Sequence, residues 1–555
     1  MGAESVLVDV NRKLLKVMQK NIQTAVERVW AASARGVRFI GMSENQITPR
    51  KEGDSKPEQP KNIIGHQVMS MNQFSTRYRS YLAHLFPVND GHKEERLEEL
   101  LGQLRTDLWV LIEFPYTDKL YRDTYYHFYS ARHQTFPREC IRVMLFEKEV
   151  KIDQFLGNSE IEKVQELFLG YFVLRPIKSR VLGRSMINPQ AFSNKNFLTC
   201  LSRGYISMLG NSFQVDAYPH STQDGLAISC AETSLWSVME YFGNRYPEYN
   251  SILPSAIYDL LRSTYSQRSV PSNGLTAAQI STALRRLKFG TRIYAIDKAR
   301  KRENEILNII STYVESGIPV IIIVEGEEFG AHALALIGHE SLDEAKLRAL
   351  VMASQGPCDS ADIEKDFVCS DDNRPVYQKL KLKAPLSHYT DTKFHNGKIG
   401  QIIVPLYERI YLDAIKARKL ANRILDHKTL GYKSDNQVSR LFLTSSRSLK
   451  RWLQKNLDLP PKLRNYLLRI HLPRFVWLAE YATKENYLQA RADSLVCLDA
   501  TGDDATESLL FARYPNFTLW LNSTTGKHDR INIPSPAIRV YQNNLKGEWN
   551  GWKST

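Results

Sequence analysis

Residues 223–236 read QDGLAISCAETSLW, and the placement of one thiol within them decides how the whole chain is read. A polar loop, Gln223-Asp224-Gly225, leads through Ser229 to Cys230, and the spacing predicts an amphipathic helix from Ala231 to Tyr241. A thiol is a weak nucleophile until it ionises. The first turn of a helix favours the thiolate, because unpaired N–H groups and the positive end of the helix dipole face the sulfur. Most free cysteines are simply small buried apolar residues. Here a loop precedes the thiol and a helix follows it, so Cys230 is the candidate nucleophile.

Working outward, Phe329-Gly330-Ala331-His332 opens a short stretch in which Ala331, Ala333 and Ala335 alternate with His332, Leu334 and Leu336. That period predicts a strand with His332 on one face. An imidazole titrating near neutrality can take the thiol proton and later protonate a leaving amine. His339 lies seven residues on, at the strand's far end, too distant to share the task. Another strand is predicted at 367–370, followed by Asp371, Asp372 and Asn373. A carboxylate there can hold the imidazole in one tautomer. Asp371 is preferred to Asp372, although Asp-Asp-Asn is also ordinary turn composition. An oxyanion formed at Cys230 needs a donor beside the backbone N–H, and Gln223 is the side-chain candidate. Asp224, ionised, can only accept, and it is expected to fix the loop.

The core around these residues is expected at 213–385. Helices come first, at 230–241, 253–265 and 276–287 with Thr276 as N-cap. Strands follow at 292–296, 318–324, 333–338 and 367–370, with a helix at 303–315 among them. Ahead of the core stand a helix at 11–34 and a polar linker at 43–62, forming a 1–62 segment, then an α/β segment at 63–212. Beyond it, 386–555 is expected to complete the sheet or to form a further domain, with helices at 404–423 and 437–457 and strands at 475–483 and 495–500. Glu113, Asp118 and Glu480 sit within aromatic stretches and are expected to be buried ion-pair partners, not sites. The charged insert at 340–366 carries no readable role.

Composition narrows the classes. The 555 residues are 43% hydrophobic and 10% aromatic, which is globular, and long enough for several domains. Six scattered cysteines without a CxxC pair fit a reducing compartment. The N-terminus lacks the apolar core of a signal peptide, and the run at 318–324 is too short to span a bilayer. A cytoplasmic protein without membrane contact is expected. The net charge of +14 is dispersed, with clusters at 298–302, 416–419 and 447–455. Without a basic face interleaved with aromatics, specific nucleic-acid binding is not expected, whereas an acidic partner is admitted. No HExxH, GxxxxGK[ST] or GxGxxG pattern occurs, so neither a metal nor another cofactor is expected.

In combination these residues resemble the papain-like superfamily of cysteine peptidases, most closely the bacterial branch typified by bacteriocin leader peptidases. The matching pieces are Gln223, a short loop, and Cys230 opening a helix. Gly274-Leu275-Thr276 before a helix, Gly317-Ile318-Pro319-Val320 before a strand, His332 to Gly338, and a strand leading to Asp371 complete the match. It runs over residues 223–372. Cys-Ala stands where that branch has Cys-Gly, Gln223 is one residue further from the thiol, and Asp-Asp-Asn replaces Asp-Pro. The oxyanion donor and the choice of acid therefore stay open. The resemblance implies an α+β fold with a two-lobe core, helices in one lobe and an antiparallel sheet in the other. It implies a Cys230–His332–Asp371 triad, with Gln223 and Asp372 as further candidates, that cleaves a protein or peptide substrate through a thioester. A peptidase or isopeptidase is the leading reading. The same residues suit a thioester-forming acyltransferase of transglutaminase type, and the same fold without activity suits a protein-binding scaffold. The ATP-binding and membrane halves of a leader-peptide exporter do not accompany the match, so that role is not carried over.

Overall fold

In the computed structural model, the described residues are 65–547, apart from 87–93, 157–159, 179, 265–271, 297–302, 426–435, 503–507, 523 and 543. The expected helix at 11–34, the linker at 43–62 and the basic cluster at 298–302 lie outside them. The architecture is mixed α+β, built on three large sheets within one compact unit spanning 62–555.

The first sheet is antiparallel, in the order Gly65–Ser70, Trp109–Tyr116, Cys140–Phe146, Phe168–Leu174, Leu182–Ile187, His220–Ser221. Its central strands, CIRVMLF and FLGYFVL, are buried along their whole length. Period-two geometry divides their side chains between two cores. Ile141, Val143 and Leu145 join Phe74 and Leu97 on one face, while Met144 and Phe146 join Tyr121 and Phe155 on the other.

The second sheet runs Arg292–Ala295, Lys398–Val404, Val320–Gly326, Gly330–Glu340, Phe367–Ser370, Gln378–Leu380. Phe197–Thr199 pairs with the far end of Gly330–Glu340, and Lys546–Gly547 pairs with Phe197–Thr199. The β-branched run VIIIV disfavours helix and suits the buried centre of a sheet. Strands Val320–Gly326 and Gly330–Glu340 form a hairpin with Val324 opposite His332. Against this sheet packs the helix Cys230–Arg245, whose Leu235, Trp236 and Met239 share a core with Ile321, Ile322, Leu334 and Leu336. The sheet therefore draws strands from outside 213–385.

The C-terminal part joins one expected sheet and builds another, within the same compact unit as the rest. Lys398–Val404 completes the second sheet. Most of the remainder builds a third sheet, in the order Cys358–Asp359, Gln437–Ser445, Phe475–Thr483, Ser494–Asp499, Leu509–Arg513, Thr518–Leu521, His528–Ile531. Two expected helices are corrected here. Residues 437–445 form a strand, and the helix begins only at Ser446 and ends at Lys455. All nine residues pair with Phe475–Thr483, and that tertiary pairing overrides a helical spacing that Val438, Leu441 and Phe442 also satisfy. Likewise Val404 ends a strand, and the helix that follows is Ala414–Leu425. The insert at 340–366 supplies the helix Glu344–Ala353 and the strand Cys358–Asp359, which lies parallel to Gln437–Ser445.

The charged residues in aromatic strands are paired as expected. Glu113 meets Arg142 at 2.5 Å, Asp118 meets Arg184 at 2.8 Å, and Glu480 meets Arg440 at 3.0 Å. Arg440 also holds Glu315 at 2.8 Å, tying the end of the helix Glu303–Glu315 to the third sheet. Among the described residues no helix is long and apolar enough to cross a membrane.

Candidate active site

Cys230 is the first residue of its helix, and Ser229, in extended conformation, is the N-cap. The backbone N–H of Ser229 donates to Glu232 Oε2 at 3.3 Å, and the Ser229 hydroxyl donates to the same oxygen. The other Glu232 oxygen accepts from Ser272 Oγ at 2.5 Å. This reciprocal capping fixes where the helix starts, and so where the sulfur sits. Asp224 Oδ1 accepts from Leu226 and Ile228 N–H, both at 2.9 Å, which is the loop-fixing part expected of it. Four other cysteines, Cys140, Cys200, Cys369 and Cys497, are buried, and burial pushes their thiols up. Cys230 is half-buried, and its Sγ accepts from the backbone N–H of Ala333 at 3.4 Å.

That contact places the sulfur beside the strand that carries His332. The imidazole is buried, with Nε2 3.0 Å from Asp371 Oδ1 and 3.7 Å from Asp372 Oδ1. Burial alone lowers an imidazole pKa. Here the Asp371 charge, its hydrogen bond and the hydrogen bond to Cys230 outweigh burial and hold His332 well above its ordinary value. With the Nε2 proton directed at the carboxylate, Nδ1 is the nitrogen left for the thiol.

Asp371 directly follows the strand Phe367–Ser370 and is fully buried. Burial favours its neutral form, but the charge and hydrogen bond of His332 keep it well below the usual carboxylate range. It accepts from Asn373 N–H at 3.0 Å and from the Tyr389 hydroxyl at 2.7 Å, and His388 Nε2 lies 3.8 Å away. Asp372 is different. It is buried, neither carboxylate oxygen has a hydrogen-bond partner, and burial pushes its carboxyl up to about 7. Geometry thus separates the two acids that the sequence left nearly equal.

Gln223 is turned toward the Asp-Asp-Asn turn. Its Nε2 donates to Asn373 Oδ1 at 2.9 Å and its N–H to Asp372 O at 3.1 Å. Arginines from the 63–212 segment grip the same place. Arg96 Nε donates to Asn373 O at 2.8 Å, Arg180 Nη1 to Asn373 Oδ1 at 3.0 Å, and Arg175 Nη2 to Gln223 O at 2.6 Å.

Sequence reasoning missed Tyr389 and His388. They lie between the strands Gln378–Leu380 and Lys398–Val404, in a stretch with no periodicity and no motif. The Tyr389 ring packs on Phe394 at 4.6 Å, which meets Phe329 at 4.9 Å, while the Arg374 guanidinium lies over it at 5.2 Å. The only available signal was a titratable pair, His388-Tyr389, inside an otherwise featureless loop.

Chemically, a half-buried thiol lies beside the strand that carries a buried imidazole, and an ionised carboxylate holds that imidazole, the set of groups that proton transfer away from sulfur needs. His332, Asp371 and Asp372 are also the one group among the described residues whose donor atoms gather closely enough to hold a metal ion. In comparisons with known proteins, no family model and no curated protein matches this chain.

Proposed function

We propose that this chain is a cysteine peptidase or isopeptidase with a papain-like two-lobe core, the cleft running between the Cys230 helix and the sheet that carries His332. The observation that carries the reading is the convergence of Cys230, His332 and Asp371, with Nε2 of the imidazole 3.0 Å from the carboxylate and the sulfur 3.4 Å from the backbone N–H of Ala333, the residue after His332. In this reading His332 takes the Cys230 proton and the thiolate attacks the carbonyl of a peptide or isopeptide bond. The tetrahedral oxyanion is held by the backbone N–H of Cys230, with Gln223 as side-chain donor once it lets go of Asn373. His332 then returns the proton to the leaving amine, and water, deprotonated by the same imidazole, hydrolyses the thioester. Asp371 orients and charges the imidazole throughout. A cytoplasmic setting agrees with six unpaired cysteines.

The test is intact-mass labelling with iodoacetamide at about pH 6, where unactivated thiols react slowly. One adduct on the wild type, absent in Cys230→Ser and slowed in His332→Ala, supports the reading. Equal labelling of several cysteines, or no effect of His332→Ala, sinks it and returns the chain to the scaffold class. Adding a primary amine during turnover of a thioester-forming substrate separates hydrolysis from acyl transfer.

A further inference from the structure

One member of the Asp371–Asp372 pair has no task in the chemistry above. Asp372 is 3% exposed, and neither of its oxygens finds a hydrogen-bond partner. A buried carboxyl group without a hydrogen-bond partner costs free energy that a bound ligand can recover. Its Oδ1 lies 3.7 Å from His332 Nε2, and Asp371 Oδ1 is 3.0 Å from the same nitrogen. All three donor atoms lie within 4.8 Å of one another. Donors about 2.0–2.2 Å from a tetrahedral ion stand roughly 3.4 Å apart. The two separations around Nε2 bracket that spacing.

We propose that His332 Nε2, Asp371 Oδ1 and Asp372 Oδ1 form a site for a divalent cation of the zinc type, and that filling it switches the thiol chemistry off. Only the second half rests on the peptidase reading. The donor set selects the ion. Calcium and magnesium want six or more oxygens, whereas one imidazole with two carboxylates is ordinary zinc ligation and balances its charge. The fourth position falls to water or to the Tyr389 oxygen, 3.5 Å from His332 Nε2. Arg180 and Arg96 lie close enough to influence Asp372, and their positive field weakens the site. Affinity is therefore expected below that of structural zinc sites, as suits a reversible inhibitor. The inhibitory step follows from the imidazole. Once Nε2 ligates the cation, its proton resides on Nδ1, and no lone pair faces Cys230 to accept the thiol proton. The ion also takes Asp371 Oδ1 away from His332. The base is lost without any movement of the backbone.

The experiment uses the full chain stripped of metal by a chelator, with cobalt(II) as a spectroscopic probe and zinc in the labelling assay. Wild type and Cys230→Ser should each bind one equivalent of cobalt with visible tetrahedral bands. Asp372→Asn should weaken binding by about tenfold or more. Zinc should slow iodoacetamide labelling of wild-type Cys230 by about tenfold, and the ratio of rates with and without zinc should return toward one in Asp372→Asn. Loss of cobalt binding in Cys230→Ser places the ion on the thiol and overturns the proposal. So does unaltered affinity in Asp372→Asn, or no binding by wild type at about 100 µM cobalt. Circular dichroism checks that Asp372→Asn is folded, and Asp372→Ser serves if it is not. Should the metal-free thiol fail to label at all, the peptidase reading falls, while cobalt binding by Cys230→Ser still decides the site.

Discussion

Replacing Arg440 by methionine tests how the third sheet is fastened to the rest of the molecule. Arg440 is 4% exposed and donates to Glu480 at 3.0 Å, to Glu315 at 2.8 Å and to the carbonyl of Tyr541 at 2.8 Å. Removing it does not strand both acids. Glu315 keeps His339 Nε2 at 2.8 Å and Lys365 Nζ at 3.7 Å. Glu480 keeps only the N–H of Tyr541, at 2.6 Å. One uncompensated buried carboxylate is the net change, and breaking such a pair typically costs about 3–5 kcal/mol. Burial already raises the Glu480 carboxyl, and Arg440 opposes that rise. In Arg440→Met the carboxyl rises further above its unfolded value near 4.3, so stability falls as pH climbs between the two. The loss should therefore be larger at pH 8 than at pH 5.5. Urea unfolding followed by tryptophan fluorescence reads it, since Trp477 is fully buried on the strand that carries Glu480. Adding Glu480→Leu should recover most of the loss, because the unpaired acid is then gone. A loss under about 1 kcal/mol, or one that Glu480→Leu does not relieve, would refute the reasoning.

Three further outcomes are expected. Tyr389→Phe removes a hydrogen bond to a buried ionised carboxylate, worth about 1.5–3 kcal/mol, and should slow Cys230 labelling at least tenfold at about pH 6; an unchanged rate would mean the hydroxyl does not govern His332. Asp372→Asn should stabilise the fold at pH 8 more than at pH 5, because the folded carboxyl holds its proton to about 7 whereas the unfolded one releases it near 3.9, so wild-type stability declines across that interval; a difference independent of pH in thermal melts contradicts this. Gly338→Ala puts a Cβ 2.0 Å from the Leu198 carbonyl oxygen, where the strand Phe197–Thr199 pairs, and should cost about 2 kcal/mol or more; a melting temperature equal to wild type rules the clash out.

What the sequence revealed and what it hid follow from range. The Cys230 helix was legible because a polar loop ending in Ser229 and the apolar spacing after it are local signals, while the part of Glu232 in fixing the helix start emerges only from the structure. The strand at 367–370 was legible for the same reason, a short apolar run ended by turn residues. Between Asp371 and Asp372 the sequence favoured the first only narrowly, because the approach of His332 from another strand is what distinguishes them. Tyr389 was invisible: its contact with Asp371 depends on a loop returning to the end of Phe367–Ser370, and no spacing encodes that return. Gln437–Ser445 was misread because its apolar positions satisfy a helical stripe, and its nine-residue partner lies about 40 positions downstream.

The neighbour of the hairpin strand Val320–Gly326 is Lys398–Val404, more than seventy residues further along the chain. During synthesis the thiol, the imidazole and the acid all leave the ribosome before the strand that flanks their sheet. Roughly 80 residues separate Gly326 from Val404, which at about 5–20 residues per second is on the order of 4–16 s. Over that interval Val320–Gly326 presents an unpaired edge, open to strands of other chains. The nascent polypeptide thus passes through a window in which Cys230, His332 and Asp371 exist but the sheet beneath them is incomplete. A chaperone that shields an extended apolar strand would act there, and a chain truncated before residue 398 would remain in that state.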